Sequence, residues 1–438
     1  MHIDPREYSR RRAALIEGLQ PGGIALLAAA PERVRSRDVH HAYRQDSDFF
    51  YLTGFAESRA LLALVPGREE GEVVLFCQPK DPQKELWEGK LLGPEAAVES
   101  LGVDQAYPVG EIDKIVPELM AGRERIHYRI GLDADFDEKV MGWVRGAREQ
   151  ARHGGPAPGQ FLLLDDLLHE MRLFKSEEEI RLMEEAARIS AEGHRRIMQS
   201  CRPGIYEYEL EAELLHTFLH HGSRAAAYGS IVGAGANACV LHYVSNDARV
   251  EDGDLVLVDA GCEYRYYAAD ITRTFPANGR FSAEQREIYQ IVLQAQAAAI
   301  EAVQPGASCD APQQAAVASI VDGLLQLGLL TGTADEIIET EAYKPFYMHR
   351  VGHWLGIDVH DVGSYKDGDD WRPFEPGMVT TIEPGIYIAP DCEDVAPRWR
   401  GIGVRIEDDV LVTSSGNRIL SEGVPRGMEE IEALMAAA

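Results

Sequence analysis

Apolar and polar positions alternate in two rhythms along the first third of the chain. Between residues 6 and 19 the apolar positions recur at helical spacing, which predicts an amphipathic helix. Short apolar runs at 24–29, 61–65, 73–77 and 130–133 are bounded by turn residues and predict strands. Strands interleaved with helical stretches indicate a mixed α/β unit. The segment Arg152-His153-Gly154-Gly155-Pro156-Ala157-Pro158-Gly159 is dense in chain-breaking residues and suits a domain boundary. After it, Ser176-Glu177-Glu178-Glu179 reads as a capping box opening a long helix, with Ile180, Met183, Ala187 and Ile189 as its apolar stripe. The junction is expected near 155–175, giving an N-terminal domain over 1–172 and a C-terminal domain over 173–438.

The second domain carries a repeated pattern. Arg202-Pro203-Gly204 opens a helical stretch that closes at Gly222, and Gln304-Pro305-Gly306 opens another that closes at Gly328. Further on, the segment from Gly253 to Gly261 matches the segment from Gly377 to Gly385. In each, a glycine turn feeds a short apolar strand that ends in a carboxylate, Asp259 or Glu383. Two matches in the same order predict a pseudo-twofold α/β domain, and a cleft between such halves is a usual ligand site.

Composition narrows the class only a little. A length of 438 residues suits two domains, and 45% hydrophobic with 26% charged residues is ordinary for a soluble globular protein. A formal net charge of −29 argues against nucleic acid and anionic membrane surfaces, both of which need basic patches. It suits a cationic substrate such as a free peptide N-terminus, or simply keeps a cytosolic protein soluble. No apolar run has the length needed to span a bilayer. The six cysteines, Cys77, Cys201, Cys239, Cys262, Cys309 and Cys392, include no C-x-x-C pair. They offer neither a thiolate zinc site nor a thioredoxin-type motif, and fit a reduced compartment. Asp4 and Glu7 interrupt the basic cluster at Arg10, Arg11 and Arg12, and no cleavage-like site follows. A signal or transit peptide is not expected, and the cytoplasm is.

The chemistry-bearing residues gather in the C-terminal domain. Residues 349–361 hold three histidines, His349, His353 and His360, and two aspartates. Asp259 and Asp270 lie upstream; Glu383 and Glu407 lie downstream. Each of these four acids ends or follows an apolar run, where a charge is expensive unless it is paired or bound to a metal. Taken singly, each has a structural explanation. Asp259 could cap a turn, Asp270 could pair with Arg273, and Arg405 and Glu407 could form a same-face salt bridge, worth ~1 kcal/mol or less if exposed. The i, i+4 spacing of His349 and His353 invites comparison with H-E-x-x-H zinc proteases, but Arg350 replaces the glutamate and Gly352 and Gly356 undercut a helix. A glycine-rich loop entering a strand is expected there instead. Taken together, one imidazole and four carboxylates form an oxygen-dominated set that favours a hard or borderline cation such as Mn²⁺ over structural zinc. Two ions ~3.5–4 Å apart can hold a hydroxide at neutral pH and polarise a carbonyl, which implies hydrolysis of an amide or ester.

These residues resemble the pita-bread metallopeptidases and, within them, the aminopeptidase P branch of bacterial type. The matching blocks are Leu241-His242-Tyr243, residues 257–261, 270–275, 352–363, 381–387 and 401–409. The block from Tyr43 to Phe55 and the block from His169 to Lys175 also resemble that branch, so the similarity runs nearly the whole chain in order. The resemblance implies an N-terminal non-catalytic domain concerned with oligomerisation or substrate gating, followed by a pita-bread catalytic domain. It implies Asp259, Asp270, His353, Glu383 and Glu407 as ligands of two manganese ions per subunit, with Asp270 and Glu407 bridging. It implies functional histidines at His242, His349 and His360, and a proline-receiving wall at Tyr365, Tyr387 and Arg405. Trp87 resembles a position contributed to a neighbouring subunit's cleft in a homotetramer.

The activity implied is removal of an N-terminal residue from peptides with proline at position two, by a hydroxide held between the two ions. His242 and His360 would hold the substrate backbone, and Glu383 would shuttle a proton to the departing nitrogen. A prolidase restricted to Xaa-Pro dipeptides is a second reading, with Arg398, Arg400 or Arg405 capturing the dipeptide carboxylate. A metal-free peptide-binding relative of the same fold is a third, although such relatives lose ligands and this chain keeps all five.

Overall fold

The structure is a computed structural model that describes residues 2–151 and 156–437. Arg152 to Gly155, the first half of the expected boundary segment, lie outside the described residues. The chain divides into two compact units, one of residues 3–172 and one whose main part begins at Leu173.

The first unit is built on a six-stranded mixed sheet. Its order is Gln105–Pro108, Val73–Cys77, Leu61–Leu64, Gly23–Ala28, Arg125–Tyr128 and Gln160–Leu163. The strands Val73–Cys77, Leu61–Leu64 and Gly23–Ala28 pair antiparallel, and the outer strands add in parallel. Three of the strands expected from apolar runs are there; the fourth is displaced. Residues 130–133 form a turn in which Gly131 has φ +86°, and Asp133 caps the helix Ala134–Gln150. The true strand is Arg125–Tyr128, whose Ile126 and Tyr128 are fully buried but which Arg125 and His127 interrupt, so no apolar run marks it. The expected first helix is Pro5–Gly18, with Asp4 as its N-cap and proline at its first position, where a missing N–H costs nothing. Two arginines of the basic cluster are buried there. Arg11 donates to the Tyr51 carbonyl at 3.0 Å and Arg12 to the Leu52 carbonyl at 2.8 Å, satisfying the end of the helix Ser47–Thr53.

The second unit is built of two similar halves in succession, the arrangement that the pita-bread resemblance implies. The first half runs through helices Glu177–Ser200 and Glu207–His220 to an antiparallel sheet of Ile231–Ala234, Leu255–Asp259 and Thr272–Pro276. The second runs through helices Ala283–Ala302 and Ala311–Gln326 to a sheet of Val379–Ile382, Asp408–Thr413 and Gly416–Ile419. Ser176 and Glu179 form both bonds of the capping box that starts the first helix. Gly253 and Gly377 hold equivalent left-handed conformations, φ +93° and +96°, in the turns that launch the two acid-bearing strands. The halves meet edge to edge: Glu407 N–H donates to the Thr272 carbonyl at 3.0 Å, and Arg405 N–H to Thr274 Oγ1 at 3.2 Å. Apolar side chains from both halves, among them Val256, Val258, Phe275, Ile386, Val404 and Ile406, share one core. Strand ends are thereby aimed at the seam. Among the described residues no helix is long and apolar enough to cross a membrane.

Candidate metal centre

Five side chains converge on that seam. Asp259 ends its strand, Asp270 stands two residues before the strand Thr272–Pro276, Glu383 follows Val379–Ile382, and Glu407 precedes Asp408–Thr413. His353 comes from the loop of residues 349–361, which is not helical; Trp354 bridges to Thr380, holding the loop against the second sheet. A close backbone approach fixes each side of the site. A Cβ at Gly261 would lie 1.7 Å from the Ala269 carbonyl oxygen, and one at Gly352 would lie 1.9 Å from that of Thr381. Only glycine allows the segments carrying Asp259, Asp270 and His353 to come this near.

The pairings differ from the isolated explanations open to each acid. Arg273 does not pair with Asp270; it is buried and reaches Asp408 at 2.7 Å. Arg405 and Glu407 do line one cavity, but the guanidinium reaches Asp259 at 2.7 Å and the Tyr387 hydroxyl at 2.9 Å. Glu407 accepts instead from Thr272 Oγ1 at 2.7 Å. Tyr228 lies between the two aspartates, its hydroxyl 2.6 Å from Asp259 Oδ1 and 2.5 Å from Asp270 Oδ1. The Asp270 backbone N–H donates to Asp409, at 3.2 Å to the nearer oxygen.

The electrostatics of this group demand positive charge. Burial pushes the carboxyls of Asp259 and Glu407 up, and raises Glu383 to about 7. Burial acts the same way on Asp270, but His353 hydrogen-bonded beside it brings it net below the ordinary value. His353 Nδ1 lies 2.9 Å from the Trp354 carbonyl, which can only accept, so that nitrogen carries a hydrogen. Nε2 then faces Asp270 at 3.4 Å and Glu383 at 3.6 Å. A neutral ring would aim a lone pair at two carboxylates. Although burial opposes it, the Asp270 hydrogen bond raises the imidazole to about 9, so a proton offsets the surrounding charge. A metal cation answers the same excess better, because it accepts the lone pair and the carboxylates together. Ligand atoms of Asp270, His353 and Glu407 lie within 4.8 Å of one another. The set fits a hard or borderline cation.

These residues floor a cavity of about 470 Å³, which His242, His349 and His360 also line. His349 Nε2 lies 2.9 Å from the Tyr387 hydroxyl, and burial holds its ring down to about 4, so it is neutral. His360 packs edge-on to His353 with ring centroids 4.3 Å apart. Tyr387 stands behind the wall through His349 and Arg405, whereas Tyr365 lines an adjoining cavity, stacked on Trp354 at 4.9 Å. Trp87 belongs to the other compact unit, 85% exposed on the helix Pro82–Glu88. Arg398 and Arg400 do not line the cavity; Arg400 donates to the carbonyls of Val395 and Glu393. Tyr228, Thr272 and Asp409 went unseen in the sequence. Only Asp409 left a trace there, as the third of three consecutive acids entering an apolar strand.

Comparison with known proteins bears on both units. The model of metallopeptidase family M24 matches residues 181–414, and that of the aminopeptidase P N-terminal domain matches residues 8–127. The chain is 48% identical to the Xaa-Pro aminopeptidase of Escherichia coli strain K12, over 100% of this chain and 99% of that one. Among solved structures, the Pseudomonas aeruginosa aminopeptidase PepP is 56% identical with a TM-score of 0.98, covering 100% and 99% of the two chains. A zinc-substituted E. coli aminopeptidase P in complex with product is 47% identical with a TM-score of 0.97, over 100% and 99%.

Proposed function

We propose, given that the chain belongs to metallopeptidase family M24 in its aminopeptidase P branch, that it releases the N-terminal residue from peptides whose second residue is proline, using two manganese ions held by Asp259, Asp270, His353, Glu383 and Glu407. It is a hydrolase of the Xaa-Pro aminopeptidase type. The observation that carries the metal reading is the aim of His353 Nε2 into buried carboxylates, its other nitrogen committed to a carbonyl. When bound, such a pair of ions supplies a water deprotonated near neutral pH and polarises the scissile carbonyl.

The protein's own groups do the rest. Asp270 and Glu407, with His353, would hold the ions at the seam, and Asp259, set beside Arg405, draws the substrate's α-ammonium to the buried end. His242 and His360, at the exposed rim, hold the substrate backbone and stabilise developing negative charge. His349, neutral and tied to Tyr387, orients the wall that Arg405 completes for the proline ring, with Tyr365 standing outside it in the adjoining cavity. Glu383 carries a proton to the departing proline nitrogen. An X-Pro bond has no N–H and a fixed φ, so it cannot bind as an added β-strand does and needs a shaped pocket. The unit before Leu173 serves in oligomerisation and substrate gating, with Trp87 offered to a neighbouring subunit's cleft in a homotetramer. The enzyme acts in the cytoplasm.

The test uses protein stripped of metal and then given Mn²⁺, with a tetrapeptide Xaa-Pro-Yaa-Zaa and the dipeptide Xaa-Pro as paired substrates. Manganese-dependent release of Xaa from the tetrapeptide is the expected result. Cleavage of the dipeptide alone would make the protein a prolidase instead. Light scattering checks the tetramer.

A further inference from the structure

The cavity is charged unequally along its depth. Its floor is acidic and buried: Asp259, Asp270 and Glu407 are 8%, 6% and 1% exposed. Its rim is exposed and formed by His242, Val244, His360 and Arg350. Arg405, the other arginine of the lining, is committed at the floor to Asp259 and Tyr387. Among the described lining residues, Arg350 therefore supplies the fixed positive charge at the rim.

Its guanidinium is held in place. Asp310 Oδ1 accepts from Nη2 at 2.7 Å, and the Trp371 ring lies 4.7 Å below the guanidinium carbon. Lys366 Nζ sits 4.9 Å from the centroid of the same ring, so two cations share one indole. Asp310 offsets part of the charge but fixes the direction of the fork, and one acceptor leaves most of the five N–H donors available. The side chain is 54% exposed and lines the same cavity.

We infer that Arg350, supported by Asp310 and Trp371 and flanked by Lys366, binds the C-terminal carboxylate of short peptide substrates beyond the proline. The inference rests on the aminopeptidase reading. A peptide is itself a dipole, and its ammonium goes to the acidic floor while its carboxylate goes to the rim. A tripeptide brings that carboxylate nearest the rim.

The experiment compares the tripeptide Ala-Pro-Leu with its C-terminal amide on the Mn²⁺-loaded enzyme, in wild type, Arg350→Ala and Arg350→Lys. The wild type favours the acid by about three- to fivefold in kcat/KM, as a half-exposed ion pair allows. The preference lies in KM and fades with added salt. R350A brings the acid-to-amide ratio to about one, while R350K keeps most of it. A ratio unchanged in R350A, or a wild type that treats acid and amide alike, overturns the inference and leaves the aminopeptidase reading standing. Failure to release alanine from either form overturns both.

Discussion

Tyr228→Phe isolates the group that ties the two aspartates together. Burial and the neighbouring carboxylates raise the phenol well above its ordinary value, so it stays protonated and acts as a donor. Its oxygen lies 2.6 Å from Asp259 and 2.5 Å from Asp270, yet it has a single hydrogen, so one bond, not two, is lost in the variant. A hydrogen bond to a charged acceptor contributes about 1.5–3 kcal/mol, a factor of roughly 10 to 150 in an equilibrium constant. Asp259 keeps Arg405 at 2.7 Å, and Asp270 keeps the metal it would hold, which places the effect near the lower end. Mn²⁺ affinity should therefore fall by about 10- to 30-fold, within the roughly 10- to 100-fold range found when a group supporting a metal ligand is removed. The ring still fills its place, so the fold should hold.

Calorimetric titration of metal-free protein with Mn²⁺ measures this directly, with activity against free Mn²⁺ as a second readout. The reasoning requires affinity to fall more than kcat at saturating metal. Unchanged affinity in a folded Y228F would refute it. Tighter binding would show that the phenol competes with the cation for the carboxylates and does not preorganise them. Loss of kcat at saturation with affinity intact would make Tyr228 a substrate-facing group.

Three further perturbations separate site from scaffold. Asp270→Asn should remove bound metal and activity together, read by elemental analysis and peptide hydrolysis; full activity would sink its bridging assignment. His194 is fully buried beside the Ala260 carbonyl at 2.9 Å, and burial holds its ring down to about 4 from an ordinary 6.5. The unfolded chain takes up that proton first, so the contribution is complete above 6.5 and is lost as pH falls towards 4. It amounts to roughly 3 kcal/mol, seen as a fall in the urea midpoint that a His194→Gln variant should not share. Arg273→Ala strips Asp408 of a 2.7 Å partner and leaves the carbonyls of Glu407, Val424 and Pro425 without their donor. Removing one member of a buried pair costs about 3–5 kcal/mol, though Gln296, Ser421 and Arg426 still reach Asp408 and soften it. A loss below about 1 kcal/mol in denaturant titration would show that the seam does not depend on this pair.

What could be read from the sequence divides along a physical line. The acids Asp259, Glu383 and Glu407 were legible because a charge at the end of an apolar run contradicts its surroundings, and the contradiction is local. The pseudo-twofold halves were legible for a similar reason, since a glycine turn, a strand and a carboxylate recur at fixed spacing. The strand Arg125–Tyr128 was not, because the buried His127 looks polar and its burial is decided by strands elsewhere in the sheet. Partners were the least legible of all. Arg405 has an obvious mate two residues away in Glu407, yet its real one, Asp259, is 146 residues distant in the chain. Tyr228 stands 31 and 42 residues from the aspartates it joins, in a run of alanines and glycine that gives it no chemical context. Acids and imidazoles that must sit together in a buried cluster tolerate little choice of residue type, so they mark the sequence. The groups that aim them can be any donor that reaches, and which one reaches is settled only when the two halves close on each other. Arg350 belongs to this second kind: within its own loop it only spoils a zinc-protease motif, and the carboxylate site inferred for it depends on Asp310 and Trp371 arriving from other segments.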